Sequence, residues 1–225
     1  MALPDRDVQA DAAVDTAHVT LQAAQPAGGR FDFCLDEFTW RPENDGQGFH
    51  NDPGDPGGAT IYGVTFATFR SWRLMRNMPD PTLAQFIAAE RGELRSIYRV
   101  LFWNTLQADA LPPGIDLCVF DFAVLSNCIR SAEFLQRCLG IEVDGHIGPI
   151  TLRAANSVIP GALMEKLTAR DEAFYASLST FRIFGHGWDR RAEDRLRLAI
   201  TMTSAGAPVA MTSAGAPPDA TTEKA

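Results

Sequence analysis

A carboxyl group at the end of a short apolar helix, followed within a few residues by a turn-rich loop carrying further carboxyls, can break an acetal bond. Glu43 stands where the apolar spacing of Phe31, Cys34, Leu35 and Phe38 has to stop, because Pro42 lacks an amide hydrogen and crowds the turn before it. Asp52 and Asp55 follow in a stretch dense in Gly, Pro, Asn and Asp that ends at Gly57 and Gly58, and Thr60 closes it. Hydrolysis of a glycosidic bond needs a protonated acid beside the leaving oxygen and a carboxylate that positions water or steadies the cationic transition state. An apolar helix end desolvates a glutamate and favours the first role, which points to Glu43. On spacing alone, the same acids also read as solvated turn formers that bond their own backbone.

The bulk properties narrow the setting. The chain has 225 residues, 46% of them hydrophobic and 21% charged, enough for one large domain or two small ones. A formal charge of -8 argues against a nucleic-acid partner, which calls for a basic stripe. It also means that affinity for any anionic partner has to come from specific contacts or local basic patches. The apolar run from Ile115 to Leu125 is interrupted by Asp116 and Asp121, so no membrane insertion is expected. The opening residues have neither a basic nor an apolar stretch, so no standard secretory signal is expected there. Cys34, Cys118, Cys128 and Cys138 lack paired CxxC spacing and read as buried free thiols. His50, His146 and His186 sit far apart on separate loops, so neither a metal nor another cofactor is expected, and the chain is expected to be a monomer.

The elements that have to position these residues are mostly helical. Residues 1–30 read as a flexible leader rich in Ala, Asp and Gln, and 201–225 as a disordered tail in which Met202–Pro208 recurs as Met211–Pro217. Between them, Phe66, Phe69 and Trp72 keep helical spacing; Thr82 caps a helix holding Leu83, Phe86 and Ile87; Leu94, Ile97, Tyr98 and Leu101 stripe a longer one. Further helices are expected over Leu117–Leu125, Ser131–Leu139, from Thr151, and from Pro160 to Leu178. Asp144 to Pro149 reads as a turn of purely architectural use, and Trp188, after a Gly-rich turn, as an anchor for the last segment. Trp72 and Trp103 read as core, whereas Tyr62 fits the core and a sugar-stacking subsite equally well.

The wording of the loop, from Asn51 through Asp55, Gly57, Gly58 and Thr60 to Tyr62 and Thr65, closely resembles the signature of glycoside hydrolase family 108, the lysozyme-like muramidases. Ile97–Trp103, Leu111–Gly114 and Val119–Val124 are similar to the middle of that domain. Leu135–Gly140, Val143–Thr151 and Phe184–Arg191 resemble the peptidoglycan-binding-type module that follows it. The resemblance implies a mainly α fold: a lysozyme-like helical domain with a small β-hairpin loop over 31–115, then a small helical module over 116–200. It implies a bacteriolytic hydrolase acting at the cell wall on bacterial peptidoglycan, between N-acetylmuramic acid and N-acetylglucosamine. By the same analogy the catalytic set is Glu43, Asp55 with Thr60 five residues on, and Asp52 as the alternative aspartate, with Tyr62, Gly57 and Gly58 against the saccharide. The family places its glutamate in a Glu-Gly-Gly-Tyr setting, whereas this chain has Gly46 three residues before Phe49, so Glu43 fits only with a three-residue insertion. A chain without an acid at that position would be an inactive relative that only binds the wall. The same chemistry in a delivered toxin or lysis effector is a third reading. Glu37 lies at least a helical turn before the loop, and Asp45, short and next to a glycine, reads as a solvated turn residue.

Overall fold

The computed structural model describes residues 29–51 and 58–204. The leader as far as residue 28, the tail from 205, and Asp52, Asp55 and Gly57 lie outside the described residues. Helix α1 (Arg30–Cys34) runs straight into a π-helical turn, Leu35–Thr39, and Phe31, Cys34, Leu35 and Phe38 are buried as their spacing predicts. A two-stranded antiparallel hairpin follows, β1 (Thr60–Ile61) and β2 (Val64–Thr65). Then come α2 (Phe66–Met75), α3 (Leu83–Ile87) and α4 (Arg91–Ile97), the last continued by a π-helical stretch, Tyr98–Asn104. Thr82 caps α3 as expected: its hydroxyl accepts from the Gln85 amide while the Gln85 side chain accepts from the Thr82 amide. The second half is all helix: α5 (Ile115–Leu125), α6 (Cys128–Leu139), α7 (Pro149–Asn156), α8 (Pro160–Ser177) and α9 (Phe181–Ser204).

Helix α5 is the centre of the molecule. All but Val124 of its residues are buried, including Asp116 and Asp121, because α6, α8, α9 and the Tyr98–Asn104 stretch pack around it. Most of its apolar residues join a core that reaches from Phe31 to Ala199, while Phe122 and Leu125 face a second cluster with Tyr175 and Trp188. The chain enters α5 through Gly114, whose φ of +86° suits glycine alone. A Cβ there would stand 2.4 Å from the Ala199 carbonyl oxygen of α9 and 2.8 Å from the Met164 sulfur of α8. Gly114→Ala is therefore expected to cost about 2 kcal/mol or more, read as a lowered urea midpoint with an unchanged slope.

Two expectations need correction. Gly185 and Gly187 do not form a turn: they lie inside α9, and His186 with them is helical rather than in a loop. Each glycine costs a helix about 1 kcal/mol relative to alanine, but here packing outweighs that cost. Trp188 and Ala192 bury against Phe122, Leu125 and Tyr175, with Phe181 and Phe184 alongside, and a Cβ on Gly185 would run into the Phe181 ring. Trp188 is thus the anchor it was expected to be. Helix α9 also continues through Ser204, into the first residues of the segment read as disordered tail, because Ala199 and Met202 still pack on the core.

The cysteines are free; Cys34 and Cys118 are buried, Cys128 and Cys138 half-buried. Burial pushes the Cys118 thiol up to about 12, which leaves it inert as a nucleophile. The Asp144–His146 turn is held by one side chain, Gln136, whose carbonyl accepts from the amides of Asp144 and Gly145 and whose amide donates to the Asp144 carboxylate. That is the architectural role expected of it.

Candidate active site

Glu43 lies in the turn that ends the first helix. Backbone bonds from Asn44 and Gly46 to the Arg41 carbonyl, and from Asp45 to that of Thr39, fix the turn. The Asn44 side chain donates to the Phe38 carbonyl and closes the helix end. Glu43 projects from this turn and is exposed. The desolvation expected of a carboxyl at an apolar helix end is therefore absent in the free protein: the apolar face of the helix is spent on Phe38, Trp40 and their neighbours, and the turn carries Glu43 outward.

The loop of interest is closed by a backbone bridge. His50 and Thr60 each donate an amide to the other's carbonyl at 2.9 Å, so the chain leaves at Asn51 and returns at Gly58 beside itself. Gly58 has φ +65°, a backbone that favours glycine, with open space where a side chain would be. Thr60 is buried and its hydroxyl donates to the Gly58 carbonyl at 3.0 Å, leaving its oxygen lone pairs as acceptors. The two strands are joined by Tyr62 and Gly63, with φ of 47° and 74°, the signs of a type I′ turn. A tyrosine rarely adopts that backbone, and its neighbours hold it there. The Tyr98 hydroxyl donates to the Tyr62 carbonyl at 2.8 Å, the Tyr62 ring lies 5.4 Å from that of Trp40, and the Arg91 guanidinium covers both rings. Tyr62 is half-buried, so part of its ring surface stays available.

Asp45 is the largest departure from the sequence reading. It is buried, not a solvated turn residue, and its carboxylate accepts from Arg191 of α9 at 2.7 Å. The same guanidinium binds Asp121 of α5 at 2.7 Å, while Arg195 lies 3.5 Å from Asp121 and 2.5 Å from Asp171 of α8. Burial works to raise the Asp45 carboxyl, but the charge and hydrogen bond of Arg191 outweigh it and hold Asp45 below the ordinary carboxylate range. Asp45 is thus kept charged and is no proton donor. Two guanidinium groups serve three carboxyls, and burial pushes the outermost, Asp171, up to about 7 against the pull of Arg195. This network was missed from the sequence. Its one signal was Asp121 in an apolar helix, since a buried carboxylate requires a cation.

The family model described as Glycosyl hydrolase 108 matches residues 42–126, and that described as Predicted Peptidoglycan domain matches residues 130–193. No curated protein matches the chain. Among solved structures, Brucella abortus SagA is 31% identical and superposes with a TM-score of 0.70 over 79% of this chain and 97% of its own. The chain belongs to glycoside hydrolase family 108. Its fold is the helical, lysozyme-like one expected, with the hairpin in place. In this family-108 chain the Glu43 turn, the Gly58–Thr60 return and Tyr62 fall in the hydrolase segment, while Arg191 falls in the peptidoglycan segment and reaches back into the first. The two matched segments make it a glycoside hydrolase directed at peptidoglycan. Among the described residues no helix is long and apolar enough to cross a membrane.

Proposed function

We propose that the protein is a muramidase, hydrolysing the β-1,4 bond between N-acetylmuramic acid and N-acetylglucosamine in peptidoglycan and acting at the cell wall. Glu43 donates the proton to the leaving oxygen; Asp55, or Asp52 in its place, supplies the partner carboxylate; Thr60 orients water; Tyr62, Gly57 and Gly58 meet the saccharide. The observation that carries this reading is the His50–Thr60 bridge, which closes the carboxylate-bearing loop in the same hydrolase segment as the Glu43 turn. An exposed carboxyl loses its water when a sugar ring is laid over it, so the free structure leaves the donor role open to Glu43. The hydrolytic domain is assigned to 31–115 and the wall-directed module to 116–200.

The exposure of Glu43, together with the locked charge of Asp45, also favours a second reading: a relative that binds the wall without cutting it. Purified sacculi separate the two. A muramidase releases reducing ends that carry N-acetylmuramic acid, whereas a binding protein co-sediments with sacculi and releases none.

A further inference from the structure

Away from the hairpin, helices α6 and α8 enclose an open groove of about 690 Å³. Its walls include Phe134 and Phe174, and its polar lining includes Arg137, Lys166 and Arg170, with no acidic residue among the lining side chains. In a chain of net charge -8, this local excess of cations is unexpected. Neither Lys166 nor Arg170 enters any of the ion pairs of the described residues; Arg137 approaches Glu133 only at 3.9 Å. Arg170 instead covers the Phe134 ring at 5.3 Å and faces the Cys138 thiol, and Arg130 covers the Phe174 ring at 4.8 Å with its buried Nη1 lacking a hydrogen-bond partner. A volume of this order accommodates a short peptide.

We propose that this groove binds the stem peptide of peptidoglycan, its cations taking the peptide's free carboxylates and its two phenylalanines the alanine methyls. The glycan backbone offers little for cations to hold; the peptide stems carry the carboxylates, and guanidinium groups match them bidentately. All the lining residues fall within the segment matched by the Predicted Peptidoglycan domain. The site rests on the peptidoglycan part of the functional reading and not on catalysis.

The test uses the full chain, co-sedimented in low salt with sacculi stripped of phosphate-bearing polymers, and with the same sacculi after an amidase has removed the stem peptides. The wild type should bind intact sacculi about tenfold more tightly than peptide-free glycan, the effect of one lost charge-assisted contact. Lys166→Glu/Arg170→Glu should bind both as weakly as the wild type binds bare glycan, and Lys166→Gln/Arg170→Gln should fall between. The tetrapeptide L-Ala-γ-D-Glu-L-Lys-D-Ala should displace the wild type from intact sacculi. Both charged positions are exposed, so the variants should keep the wild-type circular dichroism and the same cleavage rate on peptide-free glycan. Equal retention of the wild type on both materials, or retention indifferent to the charge reversal, overturns the proposal. Retention that vanishes once phosphate polymers are stripped overturns it in favour of a phosphate ligand. A protein that releases no reducing ends but still prefers peptide-bearing sacculi sinks the muramidase assignment and leaves the groove standing.

Discussion

Arg191→Met should lower folding stability by about 3–5 kcal/mol, because it leaves the carboxylates of Asp45 and Asp121 buried with one cation fewer. Against the roughly 5–15 kcal/mol by which domains are stable, that is a loss easily read from the urea midpoint. Its pH dependence follows from the carboxyls. Asp45 is held below its ordinary range, so its contribution is present above about pH 4 and is lost as the pH falls through its folded value. Asp171 is pushed up to about 7, so its contribution is full below about pH 4 and lost as the pH rises through about 7. From these two carboxyls the wild type should be most stable near pH 4 and lose stability as the pH moves from there in either direction, on the alkaline side up to about pH 7. The gap between wild type and Arg191→Met should narrow on acidification, since protonated Asp45 no longer needs its partner. A gap constant from pH 3 to pH 8 would show that Arg191 acts by packing alone.

Glu43→Gln should reduce release of reducing ends from sacculi by at least about a hundredfold, the usual effect of removing a general acid. Glutamine keeps the shape and polarity of the side chain but has no proton to give, and at an exposed turn position it should leave the urea midpoint unchanged. Asp55→Asn should produce a loss of similar order if Asp55 is the partner carboxylate, and Asp52→Asn if it is Asp52. Glu37, exposed on the π-helical turn before the site, provides the control: Glu37→Gln should retain full rate. A fully active Glu43→Gln would remove Glu43 from the donor role and with it the alignment that inserts three residues after Glu43.

Most of the fold was legible locally. The burial of Phe31, Cys34, Leu35 and Phe38, the Thr82 capping box and the Pro160 start of α8 each depend on residues a few positions apart, which a sequence displays directly. The errors were of another kind. Asp45 looked like a solvated turn residue because its neighbours are Asn44 and Gly46, yet its environment is decided by Arg191, 146 residues away. The Phe184–Trp188 stretch looked like a turn because two glycines are poor helix formers; the aromatic cluster that makes it helical is assembled from α5, α6 and α8. At Glu43 the local pattern correctly marked the helix end but carried no information about which way the turn would project the side chain.

The pairing of Arg191 with Asp45 bears on inheritance as well as on stability. Domains joined only through an exposed linker, with few contacts across it, can be exchanged without damage to either core. Here the later module donates a side chain to the turn beside the hydrolase's own helix end, and both are built around α5. A donor module without an arginine at that register would leave the buried Asp45 carboxylate with one cation fewer. The two segments are therefore expected to travel through genomes as one unit, and a useful chimaera would have to be cut outside both of them.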